Sequence, residues 1–263
     1  VGFVLAGAGG GAAPALAQVE VGSASGMRRL VPAETLESSA TQQYSQLLAQ
    51  ARAQGALVPS GHPQLARLHA IARRLSPCTT PWNDRARHWR WEVNLIASKQ
   101  INAFCMPGGK IAFFTGILDQ LRLTDDEAAM IMGHEMAHAL REHARERLAK
   151  TQATNLGLRL GAQLLGLGDV WQLAANLGGQ LLTLKFSRGD ESEADLVGLE
   201  LAARAAFQPA ASVSLWQKMG QATGGKDGLA FLSTHPSGPD RIRELQQNVP
   251  KVQGADEAAR QNG

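Results

Sequence analysis

Between Thr41 and Ala56 the residues Tyr44, Leu47, Leu48 and Ala51 recur at helical spacing, which predicts an amphipathic helix. Pro63 opens a second helix with Leu65, Leu68, Ile71, Ala72 and Leu75 on one side, and Ser76-Pro77 stops it. Trp89 to Ala97 alternates like a strand; Ile101 to Cys105 resumes the alternation after a turn at Ser98-Lys99-Gln100. Pro107-Gly108-Gly109 breaks the chain again before Ile111 to Phe114, so the segment predicts a small curled sheet of at least three strands. Thr124-Asp125-Asp126-Glu127 has the form of a capping box, and the helix it starts is expected to run to about Glu146. Residues 155–186 are rich in Leu, Ala and Gly but interrupted by polar side chains every few residues. No window there approaches the ~18 uninterrupted apolar residues of a membrane span. A pair of packed helices broken around Gly166 to Asp169 is expected, with a membrane-surface role as the alternative.

Composition adds limits. A hydrophobic content of 44% over 263 residues suffices for one sizeable core, expected over residues 39–250. The formal charge is only +3 and the basic residues are scattered, so nucleic acid is not an expected partner. Residues 1–17 are uncharged, and their end at Ala15-Leu16-Ala17 reads as the tail of a signal peptide, hence a periplasmic protein; a flexible Ala/Gly arm is the alternative. Residues 18–38 and 251–263 read as a flexible leader and tail. The two cysteines, Cys78 and Cys105, could pair in an oxidising compartment or stay as separate buried thiols.

The chemistry lies in His134-Glu135-Met136-Ala137-His138. At ~3.6 residues per turn, positions i and i+4 share a helix face, so both imidazoles can aim at one metal ion. Glu135 projects beside that point, where a carboxylate can take a proton from metal-activated water. A catalytic zinc needs a third protein ligand. A third histidine on the same helix is excluded, because Ala144 stands at the required position and His143 comes one residue early; His143 reads as a packing or surface residue. The remaining candidate is Glu191, with Asp195 one turn on and able to bond the outer nitrogen of a ligating histidine. Glu193 points away from both. The competing reading of this cluster is an acidic helix start that suits the helix dipole.

Further segments keep the same order and spacing: Asn102-Ala103-Phe104 with Pro107-Gly108-Gly109, Thr115-Gly116-Ile117-Leu118, Ser187-Arg188 before Glu191-x-x-Ala194-Asp195, and Thr234-His235-Pro236 with Asp240-Arg241-Ile242. Over roughly residues 60–248 the chain thus resembles the gluzincin peptidases of the HtpX and CAAX-prenyl-protease type, their soluble periplasmic members above all. The resemblance implies an α+β, mostly helical zincin metalloprotease domain with a small sheet bordering the cleft. It implies one zinc ion per chain on His134, His138 and Glu191, with Glu135 as the base and Asp195 behind a ligand. Asn102, Ala103, Phe104, Gly108 and Gly109 are implied to border the cleft and pair with an extended substrate backbone. His235 is implied to approach the metal or the oxyanion, and Arg241 to fix that loop or steady developing charge. The expected reaction is hydrolysis of internal peptide bonds in misfolded or misassembled envelope proteins, with contacts to the membrane surface or to outer-membrane assembly. The rival is a chaperone-like holding protein whose zinc site His235 blocks.

Overall fold

The computed structural model describes residues 19–151, 181, 184–222, 229–236 and 239–262. Three strands form the sheet: β1 (Glu92–Ile96), β2 (Ala103–Met106) and β3 (Lys110–Phe114). Their order is β1-β3-β2. β1 runs parallel to β3 with Leu95 opposite Phe113, and β2 runs antiparallel to it with Cys105 opposite Ile111. The turn joining β2 to β3 places Gly108 and Gly109 at φ 83° and 78°, the left-handed region where glycine has no steric cost.

Side-chain alternation then gives the sheet two apolar faces. Val93, Leu95, Ala103, Ile111 and Phe113 join the main core with helices α2 (Pro63–Leu75), α3 (Thr115–Gln120) and α4 (Asp125–Leu140). Ile96, Met106 and Ala112 turn the other way, onto α1 (Ala33–Ala53). Tyr44 seals that face: its ring meets Phe104 edge-on at 6.5 Å and its hydroxyl donates to the Ile111 carbonyl. The helical content and the small sheet establish the expected α+β class.

The second helix starts at Pro63 and buries the five apolar residues that its spacing singled out. Three expectations need correction. The leader packs instead of hanging free. Helix α1 begins at Ala33, Val31 and Leu36 bury against Leu148 and Ala149, and the Val19 amide donates to buried Glu200 at 2.9 Å. Its apolar residues are too widely spaced to show periodicity; Val19, Val31 and Leu36 pack against partners distant in sequence, whereas Met27 and Leu30 stay exposed. The tail is also helical. After α5 (Arg188–Arg204), α6 (Ala211–Ala222) and α7 (Leu229–Thr234), α8 (Pro239–Asn262) runs through Pro250 and buries Val252. Finally, α4 stops at Leu140 and does not run to Glu146: Glu142 sits at φ 59° and helical backbone resumes over 143–151. The expected signal peptide over 1–17, and all but residues 181 and 184–186 of the expected helix pair over 155–186, lie outside the described residues. Among the described residues, no helix is long and apolar enough to cross a membrane.

Candidate metal centre

Two capped helices carry the site. Thr124 starts α4: its hydroxyl accepts from the Glu127 amide at 3.2 Å, and the Glu127 carboxylate accepts from the Thr124 amide at 2.9 Å. Ser187 and Asp190 make the same reciprocal pair at the start of α5, one residue before Glu191. The helices touch backbone to backbone through two glycines. A Cβ on Gly198 would lie 2.6 Å from the His134 nitrogen, and one on Gly133 would lie 2.8 Å from the Gly198 carbonyl oxygen. This close approach brings the first turn of α5 alongside the two histidines of α4.

Four side chains converge there, all buried. His134 Nε2 and His138 Nε2 are 3.2 Å apart; Glu191 Oε2 lies 3.5 Å from the first and Glu191 Oε1 3.5 Å from the second. His235 Nδ1 lies 3.0 Å from Glu191 Oε1 and 3.4 Å from His134 Nε2. One ligand atom from each of the four falls within 4.8 Å of the others. The donor set fits zinc. In the neutral ring, as a metal requires it, His134 Nδ1–H donates to Asp195 Oδ1 at 2.9 Å and Nε2 presents a lone pair to the cluster. Two imidazole nitrogens and a carboxylate are the ligands that a catalytic zinc takes.

Charges around the cluster are matched. Burial alone would lower the pKa of His134, but the carboxylates of Asp195 and Glu191 outweigh it and raise the value to about 9. Burial takes His138 the other way, well below the ordinary imidazole range. Burial would raise Glu191, yet its three histidine partners hold it below the usual carboxylate range. Arg241 links the parts. Its Nε and Nη2 donate to Asp195 at 2.7 and 2.9 Å, Nη1 donates to the Pro236 carbonyl at 3.1 Å, and Nη1 lies 2.9 Å from Glu191 Oε2. The guanidinium also stacks over Trp216 at 3.8 Å. Aromatic rings wall the rest: Phe186 stacks on His138 at 3.9 Å, and Phe231 stacks on His235 at 4.4 Å.

Glu135 lies beside the cluster, 2% exposed, and its Oε1 has no hydrogen-bond partner among the described residues. His235 Nε2 lies 3.5 Å from Glu135 Oε1. Burial raises the Glu135 pKa, which suits a group that must hold a proton in passing.

The structure thus gathers His134, Glu135, His138, Glu191, Asp195, His235 and Arg241 in one place. Strand β2 packs against α4, and its Cys105 thiol lies close enough to the Glu135 carboxylate to be affected by that charge. Asn102 is spent locally, its side chain accepting from the Ala103 amide and its carbonyl from the Phe114 amide. Ala103 faces the main core and Phe104 faces α1. Gly108 and Gly109 form the turn and rest against Glu37 and Trp91. Among the described residues, β2 is an edge strand whose sheet partner is β3.

Sequence reasoning missed His143 and Glu193. His143 is 1% exposed; its Nδ1 lies 2.9 Å from His138 Nδ1 and its Nε2 lies 2.9 Å from Glu193 Oε2. No periodicity signals this, because the contact depends on the helix break at Glu142.

Residues 62–249 match Peptidase family M48. The mitochondrial metalloendopeptidase OMA1 of Schizosaccharomyces pombe is 37% identical over 200 residues, covering 75% of this chain and 56% of that protein. Metalloprotease LoiP of Escherichia coli is 26% identical over 182 residues, covering 68% and 70%. The beta-barrel assembly-enhancing protease of Yersinia pestis is 28% identical over 170 residues, covering 60% and 34%. The chain therefore spans just over half the length of its fission-yeast relative. Members of the matched family use zinc, which the donor set fits. With the match running from α2 into α8 and enclosing every residue of the cluster, the chain belongs to peptidase family M48.

Proposed function

We propose that the protein is a zinc-dependent endopeptidase that cleaves unfolded or extended polypeptides, its substrates being misfolded or misassembled envelope proteins. The observation that carries this reading is the meeting of His134, His138 and Glu191 from two helices, with Glu135 buried beside them and its Oε1 free of any hydrogen bond among the described residues. Zinc bound there supplies a Lewis acid that polarises a carbonyl and makes water easier to deprotonate. Glu135 takes the proton of the attacking water and passes it to the leaving amine nitrogen. Asp195 fixes the ring of His134, and Arg241 holds Asp195, Glu191 and the loop at Pro236 in register. His235 Nε2 then stands beside Glu135, at the edge of the space where a substrate oxygen would gain charge. Substrate main chain adds to the edge strand β2, formed by Ala103, Phe104 and their neighbours. Envelope substrates are supported by the name of the Yersinia pestis relative, and an exported, periplasmic protein by the apolar first seventeen residues closing on Ala-Leu-Ala.

A second reading, a holding protein with a blocked site, is favoured by His235 at the fourth corner of the cluster. One experiment separates the two. Incubated with casein, the zinc-loaded parent is expected to cleave and Glu135→Gln to fail while keeping its zinc. Equal processing, or equal protection, by parent and variant overturns the protease reading.

A further inference from the structure

The outer nitrogen of His134 meets a carboxylate, whereas that of His138 meets a second imidazole. His143 Nδ1 lies 2.9 Å from His138 Nδ1, and His143 Nε2 lies 2.9 Å from Glu193 Oε2. Glu193 is also paired with Arg141, which keeps it ionised and acceptor-only. Proton bookkeeping follows. Since Glu193 only accepts, Nε2 of His143 carries the hydrogen. In the neutral ring, Nδ1 of His143 is then the bare acceptor. The proton between the two facing Nδ1 atoms therefore belongs to His138. A neutral His138 protonated at Nδ1 has its lone pair on Nε2, the nitrogen that lies 3.2 Å from His134 Nε2 and 3.5 Å from Glu191.

The backbone is bent to make this contact. On an unbroken helix, five residues would carry His143 about 140° round from His138. Instead α4 ends, and Glu142 adopts φ 59°, a conformation L side chains rarely take. Two arginines hold the Glu142 carboxylate, Arg145 at 2.8 Å and Arg28 at 3.3 Å. Helical backbone then resumes with His143 turned back onto the metal helix.

We propose that His143 and Glu193 are positioning residues that fix the tautomer and ring orientation of His138 for the metal, an inference that rests on the zinc reading above. Residues in this role typically contribute 10–100-fold to metal affinity. The test is zinc affinity by competition with a chromophoric chelator, with the ligand-field spectrum of the cobalt-substituted protein and the melting temperature of the zinc-free protein read in parallel. His143→Ala and Glu193→Ala are each expected to weaken zinc by about 10–100-fold and to alter the cobalt bands. His143→Asn, which keeps an acceptor toward His138, is expected to recover most of the affinity. Glu193→Ala leaves both imidazoles in place and carries the test if His143→Ala fails to fold. Unchanged zinc affinity in Glu193→Ala overturns the proposal. So does an Asn variant as weak as the Ala one, or a zinc loss matched by an equal fall in zinc-free stability. His138→Ala distinguishes the underlying reading: if that change leaves zinc binding intact, the ligand assignment itself is wrong. If zinc is lost there but kept in both relay variants, only the relay is wrong.

Discussion

Gly198→Ala places a methyl group where the helices carrying the metal ligands touch. The new Cβ would stand 2.6 Å from the His134 nitrogen, 2.8 Å from the Gly133 carbonyl carbon and 2.9 Å from the His134 Cα. All three are backbone atoms, so no side chain can swing away. Reaching an ordinary contact of about 3.5–4 Å between carbons requires the helices to separate by roughly 1 Å. Glu191 sits seven residues earlier on the same helix, about 10 Å along its axis, and must move with it. Metal sites tolerate about 0.2 Å in ligand distance. A displacement of 1 Å near the chemistry costs on the order of 100-fold in rate, and the overpacking itself costs about 1–3 kcal/mol. The expected result is zinc affinity and casein cleavage both sharply reduced, with the zinc-free protein melting several degrees lower. Gly254→Ala is the control, because a Cβ there meets nothing within 4 Å and lies in α8; it should stabilise slightly. If Gly198→Ala binds zinc and cleaves casein like its parent, the close packing of α4 on α5 does not set the site.

Other outcomes follow from the same geometry. Arg241→Leu strips Asp195 and Glu191 of their shared counter-charge inside the core, so the folded state should lose about 3–5 kcal/mol by urea titration; a loss below 1 kcal/mol would contradict the buried network. Glu127 is buried, and burial would raise its pKa, but Lys218, the Thr124 amide and the Ser214 hydroxyl hold it below the usual range. A depressed folded pKa adds stability above the unfolded value of about 4.3, lost as pH falls through the folded value. Glu127→Gln should therefore melt lower than its parent at pH 7, with the gap closing in acid; a gap independent of pH would refute this. Cys78 and Cys105 are unpaired, and burial pushes both thiols up, so intact mass should be the same with and without reductant and alkylation should be slow until unfolding.

Much of the site was legible because its parts are local. The i, i+4 histidines, the Thr124 capping box and Pro63 at a helix start each act within one or two turns, where spacing alone sets geometry. Glu191 could be found by chemistry, since a two-histidine helix demands a third ligand. What escaped depends on contacts distant in sequence or on irregular backbone. His143 was placed by assuming a continuous helix, and the left-handed Glu142 invalidates that geometry. Gly133 and Gly198 carry no periodic signal, although their missing Cβ atoms let the helices meet. The packed leader rests on scattered single residues such as Val19 and Val31, each buried by a different partner.

X-ray absorption at the zinc K-edge tests the central claim most directly. The zinc-loaded protein should show imidazole nitrogen and carboxylate oxygen scatterers near ~2.0–2.2 Å, with the imidazole signal reduced in His138→Ala. A sulfur shell near ~2.3 Å, or a spectrum indifferent to His138 and Glu191, would contradict it.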